Sequence, residues 1–75
     1  MVEVVMPRKV RELKSWLHKA GFDWKPGKGS HTTWRHVTIS WVKITLSGHD
    51  GADAKPYQVR DVEEAIRKVK EVQGE

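Results

Sequence analysis

Two amphipathic helical stripes at opposite ends of the chain, with alternating sequence between them, constrain the fold more than any other feature. The first follows Pro7, a residue suited to the opening turn of a helix, and runs from Arg8 to Ala20 with apolar residues at Val10, Leu13, Leu17 and Ala20. Arg11, Lys14 and Lys19 fall away from that face, and Gly21 directly after it is a left-handed stop. The second stripe opens at Pro56 and extends to about Val72, with Val59, Val62, Ala65, Ile66 and Val69 on one side. Its acids Asp61, Glu63 and Glu64 come early and its bases Arg67, Lys68 and Lys70 late, which complements the helix dipole. Each stripe must be buried against something, and 75 residues without a cysteine offer no disulfide or thiolate zinc site to supplement a small core.

The intervening residues supply the partner surface. Phe22-Asp23-Trp24-Lys25 alternates with period two, so Phe22 and Trp24 are expected to face inward. Pro26-Gly27-Lys28-Gly29 is a turn by composition, and Ser30 to His36 forms a second strand with Thr32 and Trp34 inward. On that parity His31, Thr33 and Arg35 share the opposite, open face. Val42 to Ser47 is a third strand with Val42, Ile44 and Leu46 inward and Lys43 and Thr45 outward. The apolar residues of Val37-Thr38-Ile39-Ser40-Trp41 are out of phase with that strand, so a bulge or turn must intervene. The expected fold is α+β: one small domain over residues 1–75, with a core from about 8 to 72. Its order is α-β-β-β-α, with two helices on one face of a three-stranded antiparallel sheet.

Charge is unevenly distributed. Residues 1–46 hold nine Lys and Arg against three Asp and Glu, whereas residues 47–75 hold five against seven. A positive first half is the footprint of a protein that neutralises phosphates, although a basic solvated face also occurs without nucleic acid. No apolar run reaches the roughly 20 residues needed to span a bilayer, and the opening MVEVVMPRK is too short for a secretory signal, so a cytoplasmic location is expected.

Lys28-Gly29-Ser30-His31, placed after a helix ending Lys19-Ala20-Gly21-Phe22, resembles the HicA family of toxin-antitoxin RNases. Arg35-His36 fits the family pattern at the end of the second strand. Ile44 to Gly51, continuing to Lys55-Pro56-Tyr57, looks like a subgroup with a Gly-Asp-rich loop before the last helix; the resemblance covers about residues 8 to 72. It implies a fold similar to double-stranded-RNA-binding domains, cleavage of mRNA, a single catalytic histidine that maps onto His31, and a HicB antitoxin that covers the active surface.

The residues suit that chemistry. Histidine has a model value of about 6.5 and moves protons near neutral pH, either as base toward a 2′-hydroxyl or as acid toward the leaving 5′-oxygen. Transesterification by the RNA's own 2′-hydroxyl needs no metal or other cofactor, and none is expected. Lys28 and the amides of Gly29 and Ser30 are placed to stabilise phosphate charge, and Lys25, Arg35 and Lys43 to grip the RNA backbone. Ser30 reads better as a turn residue than as a nucleophile, because no Ser-His-Asp order is present. His18 is expected on the solvated surface, and His36 serves either RNA or the strand end. His49, Asp50 and Asp53 lie in what reads as a solvated connector rather than a metal site. Trp24 and Trp34 are expected in the core and Trp16 at its border. Val37, Ile39 and Trp41 are expected to form an exposed apolar tip that contacts the antitoxin or a second copy of the chain. The rival readings are a module that binds structured RNA without cutting it, and a protein-interaction domain whose basic surface meets an acidic partner.

Overall fold

The structure, a computed structural model, describes residues 9–74. Pro7 and Arg8, the expected start of the first helix, lie outside the described residues. The order is α1 (Val10–Lys19), β1 (Phe22–Pro26), β2 (Thr32–His36), β3 (Lys43–Leu46) and α2 (Pro56–Gln73), the α-β-β-β-α arrangement expected from the periodicities. β2 is central and antiparallel to both neighbours, with Trp34 opposite Trp24 on one side and Ile44 on the other.

Both helices pack on one sheet face. Val10, Leu13 and Leu17 of α1 are sealed from solvent, as are Val59, Val62, Ala65 and Val69 of α2. Leu13, Leu17 and the α2 residues share one cluster with Phe22, Trp34 and Leu46, which have the helix-facing parity of their strands. Ile44 and Ile66 are partly buried at its border, as is Trp16. The buried polar side chains are paired: Trp34 Nε1 donates to Thr32 Oγ1 at 2.9 Å, and Gln58 accepts from the Lys55 amide at 3.0 Å while donating to the Ser47 carbonyl at 2.9 Å. Gln58 thereby ties the start of α2 to the end of β3. Among the described residues no helix is long and apolar enough to cross a membrane.

Three expectations are corrected. Trp24 has inward parity but is 46% exposed. The flank of α1 that faces this part of β1 is polar, with Lys14, Ser15 and His18 lining the intervening groove, and the Trp24 ring stacks on Trp34. Ile39, expected on an exposed tip, is buried in the core, while Val37 and Trp41 beside it are exposed at 68% and 65%. The cause is His36: its Nδ1 accepts the amides of Thr38 at 3.2 Å and Ile39 at 3.0 Å, turning the chain so that Ile39 drops inward. A turn closed by the Val42 amide on the Ile39 carbonyl at 3.0 Å then restores the register, the interruption required by the out-of-phase sequence.

The Gly-Asp-rich loop is also more than a solvated connector. The first amides of a helix have no partner within it. In α1 Val10 donates to the Ala52 carbonyl at 2.9 Å and Arg11 to the Asp50 carbonyl at 3.1 Å. Lys9 and Lys14 add ion pairs to Asp53 and Asp50, each at 2.6 Å. The loop therefore serves as the N-terminal cap that the side chain of Lys9 does not provide.

Candidate active site

The segment from Gly27 to His31 is the β1–β2 hairpin turn. The His31 amide donates to the Lys28 carbonyl at 3.0 Å and the Gly27 amide to the His31 carbonyl at 2.8 Å. Gly29 has φ of +58° at the first central position of the inner turn, a conformation that favours glycine and suits the twist of a hairpin. A Cβ on Gly27 would stand 3.3 Å from the His31 carbonyl oxygen, so the two arms approach too closely for a larger residue to fit without displacement. The turn is tied down from the far side of the sheet: Ser30 Oγ accepts the Gly48 amide at 3.1 Å. Ser30 is thus a structural hydrogen-bond partner, in keeping with its expected turn role.

His31 is exposed at the end of this anchored turn, immediately before β2. Among the described residues its imidazole has no hydrogen-bond or ion-pair partner. Its parity places it on the sheet face away from the helices. Two registered rows cross that face: Lys25, Thr33 and Thr45 lie nearer the turn, and Asp23, Arg35 and Lys43 farther from it. The expected residues Lys25, His31, Arg35 and Lys43 therefore share one surface, and Lys28 and Gly29 are exposed in the turn at its end. At about 3.3 Å per residue, His31 and Arg35 are roughly 13 Å apart along the strand, so a ligand touching both must lie along the sheet. A hollow of about 360 Å³ opens beside Arg35, lined by Asp23, Trp24, Lys25, Thr33 and Val37. A single acid, Asp23, stands against three cations on the two rows, so the face attracts anions.

The other histidines separate by environment. His36 is buried and structural, with its ring edge-on to Phe22 at 5.4 Å. His18 is exposed but edge-on to Trp34 at 5.1 Å. His49 is exposed in the loop that caps α1. There the Lys14 ammonium, by hydrogen bond and charge, holds the Asp50 carboxyl below its ordinary value, and Lys9 does the same to Asp53. Among the described residues no group of three or more His, Cys, Asp or Glu is arranged to hold a metal ion.

The groove between α1 and β1 is not legible in the sequence. It has a volume of about 590 Å³ and is lined by Arg11, Lys14, Ser15, His18, Lys19, Trp24, Trp34 and one acid, Asp50. The basic positions of α1 were legible individually. Their meeting with an uncovered tryptophan depends on how the helix is rotated over the sheet, which no local pattern encodes.

Residues 10–70 match the family described as the HicA toxin of bacterial toxin-antitoxin systems. No curated protein and no solved structure matches the chain.

Proposed function

Since the chain belongs to the HicA toxin family of toxin-antitoxin systems, we propose that it is an endoribonuclease that cuts mRNA in the cytoplasm with His31 as its one catalytic side chain. The observation that carries this reading is the position of His31: exposed, at the end of an anchored turn, on the same face as Lys25, Arg35 and Lys43. An RNA strand lying along the basic face brings a phosphodiester to the imidazole. The 2′-hydroxyl oxygen attacks phosphorus, the bond from phosphorus to the 5′-oxygen breaks, and the products are a 2′,3′-cyclic phosphate and a free 5′-hydroxyl. His31 takes the 2′ proton as base or supplies one to the 5′-oxygen as acid, and water completes the other transfer. Lys28 and the amides of Gly29 and Ser30 stabilise the charge that builds on the phosphoryl oxygens. Lys25, Arg35 and Lys43 position the backbone without reading sequence.

In this reading a HicB-like antitoxin neutralises the toxin by covering the same face, and Val37 and Trp41 form the apolar part of its contact. These two residues are largely exposed beside the basic rows, the combination of apolar anchor and charged surround that protein interfaces use. A second copy of the chain is the alternative occupant of that tip.

The test is induced expression of the wild-type and His31→Ala chains while bulk mRNA and growth are followed. Wild type should degrade mRNA and arrest growth, and His31→Ala should do neither while retaining RNA affinity. Intact mRNA in both would overturn the reading. A binding module is the second reading, favoured by one observation: no side chain among the described residues orients the His31 ring. A pure binder would hold RNA and show no cleavage before any substitution.

A further inference from the structure

We propose that the groove between α1 and the edge of β1 is a second RNA subsite, where an unpaired base stacks on Trp24 and the adjoining phosphates meet Arg11 and Lys19. This rests on the reading of the chain as an RNA-cutting toxin and adds where the strand goes when it leaves the sheet.

Trp24 is nearly half exposed at a strand position of helix-facing parity, the parity at which Phe22, Trp34 and Leu46 are buried. It is nonetheless held in place. Its ring lies on Trp34, with centroids 6.2 Å apart and planes 29° from parallel, and Trp34 is itself 1% exposed and braced edge-on by His18. A base that stacks on such a platform orders no mobile side chain, and stacking tolerates any base because each has a π face. The walls of the groove are basic. Arg11, Lys14 and Lys19 line it against one acid, Asp50, which Lys14 engages at 2.6 Å and whose carboxyl also feels the Arg11 charge; Arg11 and Lys19 are exposed on the α1 side. An exposed aromatic beside cations is the composition that single-stranded nucleic acid recognises.

Trp24 also lines the hollow on the open face beside Lys25 and Arg35. The same indole therefore borders both surfaces, and a strand laid across the basic rows reaches the α1 groove by passing over the β1 edge at Trp24. Paired bases inside a duplex cannot make this contact, because both their faces are already stacked.

The test uses the full chain carrying His31→Ala, so that RNA stays intact, and a labelled oligouridine as an unstructured probe. Trp24→Ala should raise Kd about 5- to 150-fold, the range that removing a base-stacking aromatic produces. Trp24→Phe should restore most of the affinity, and Lys19→Glu should weaken binding and its salt dependence. A blunt RNA duplex of the same length should bind Trp24→Ala and its parent equally. Unchanged oligouridine affinity in both Trp24→Ala and Lys19→Glu overturns the subsite. If Trp24→Ala weakens only antitoxin binding, the groove is a protein contact and the proposal is overturned. Cleavage separates this from the reading beneath it. His31-dependent cleavage with Trp24-independent binding leaves the nuclease and removes the subsite; Trp24-dependent binding without wild-type cleavage does the reverse.

Discussion

The Nε2 atom of buried His36 lies 3.0 Å from the point where a Cβ on Gly21 would stand, and the Gly21 carbonyl accepts the Val37 amide at 3.1 Å. The end of α1 and the end of β2 are thus locked through a glycine that has no space for a side chain. Its φ of +91° disfavours any other residue independently of that space. The ring it abuts cannot swing away, because Nδ1 holds two backbone amides. Gly21→Ala should therefore destabilise the fold by about 2 kcal/mol, combining backbone strain with displacement of a fixed ring. Chemical denaturation measures this, and an equally stable variant would refute the lock.

His36→Leu tests the other half. It keeps an apolar body in the core but removes the acceptor of the Thr38 and Ile39 amides. A donor left unsatisfied where it is buried costs about 1–3 kcal/mol. Amide exchange at Ile39 should accelerate more than exchange in the centre of β2. A uniform increase across the chain would instead mean that His36 acts only through global stability.

These contacts mark where the sequence was readable and where it was not. The stripes Val10-Leu13-Leu17 and Val59-Val62-Ala65-Val69 were legible because helical period alone selects the buried face. The parity of Thr32 and Trp34 likewise put His31, Lys25, Arg35 and Lys43 on one surface. Ile39 was not legible, since its burial follows from a side chain three residues earlier that accepts its amide rather than from any period. Trp24 obeyed the period and was still exposed, because parity specifies a face and says nothing about what covers it. Asp50 and Asp53 looked like loop acids; their partners Lys14 and Lys9 are 36 and 44 residues away in sequence.

The capping loop should respond to acid. The Asp50 and Asp53 carboxyls are held below their ordinary value of 3.8 by hydrogen bonds and charge from Lys14 and Lys9. A group whose folded value is depressed contributes stability above the unfolded value, and that contribution disappears as pH falls through the folded one. The ion pairs should hold at neutral pH and loosen below about 3.8. Loss of protection of the Val10 and Arg11 amides relative to their intrinsic exchange in that range would report the loosening. Asp50→Asn with Asp53→Asn should remove this acid dependence, and 1 M salt should weaken it, because the carboxylates are exposed. An acid response that persists in the double variant would place its origin elsewhere.

If the open face carries the RNA backbone, each basic residue on it accounts for displaced counterions. For single strands the slope of log affinity against log salt is about 0.7 per neutralised phosphate. Arg35→Gln in the His31→Ala chain should reduce that slope by about 0.7. Arg67→Gln, on the exposed side of α2 beside Glu64, should leave it unchanged. Equal slopes for Arg35→Gln and its parent would exclude Arg35 from phosphate contact.

Ser30 and His31 are adjacent in the turn but should fail differently. Ser30 Oγ accepts the Gly48 amide and anchors the turn to the loop after β3. Ser30→Ala should cost about 1 kcal/mol of stability, the usual net value of one hydrogen bond. It should slow RNA cleavage by no more than about 100-fold, the cost of misplacing a catalytic group by about 1 Å, and by less than removing the imidazole does. Ser30→Thr keeps the hydroxyl and should recover both. His31→Ala should show the opposite pattern, with stability within about 0.5 kcal/mol of wild type because the residue is exposed and unpaired, and with cleavage abolished. Parallel denaturation and cleavage assays distinguish them. If Ser30→Ala were folded and as inactive as His31→Ala, the serine would belong to the chemistry and the division between anchor and catalyst would have to be redrawn.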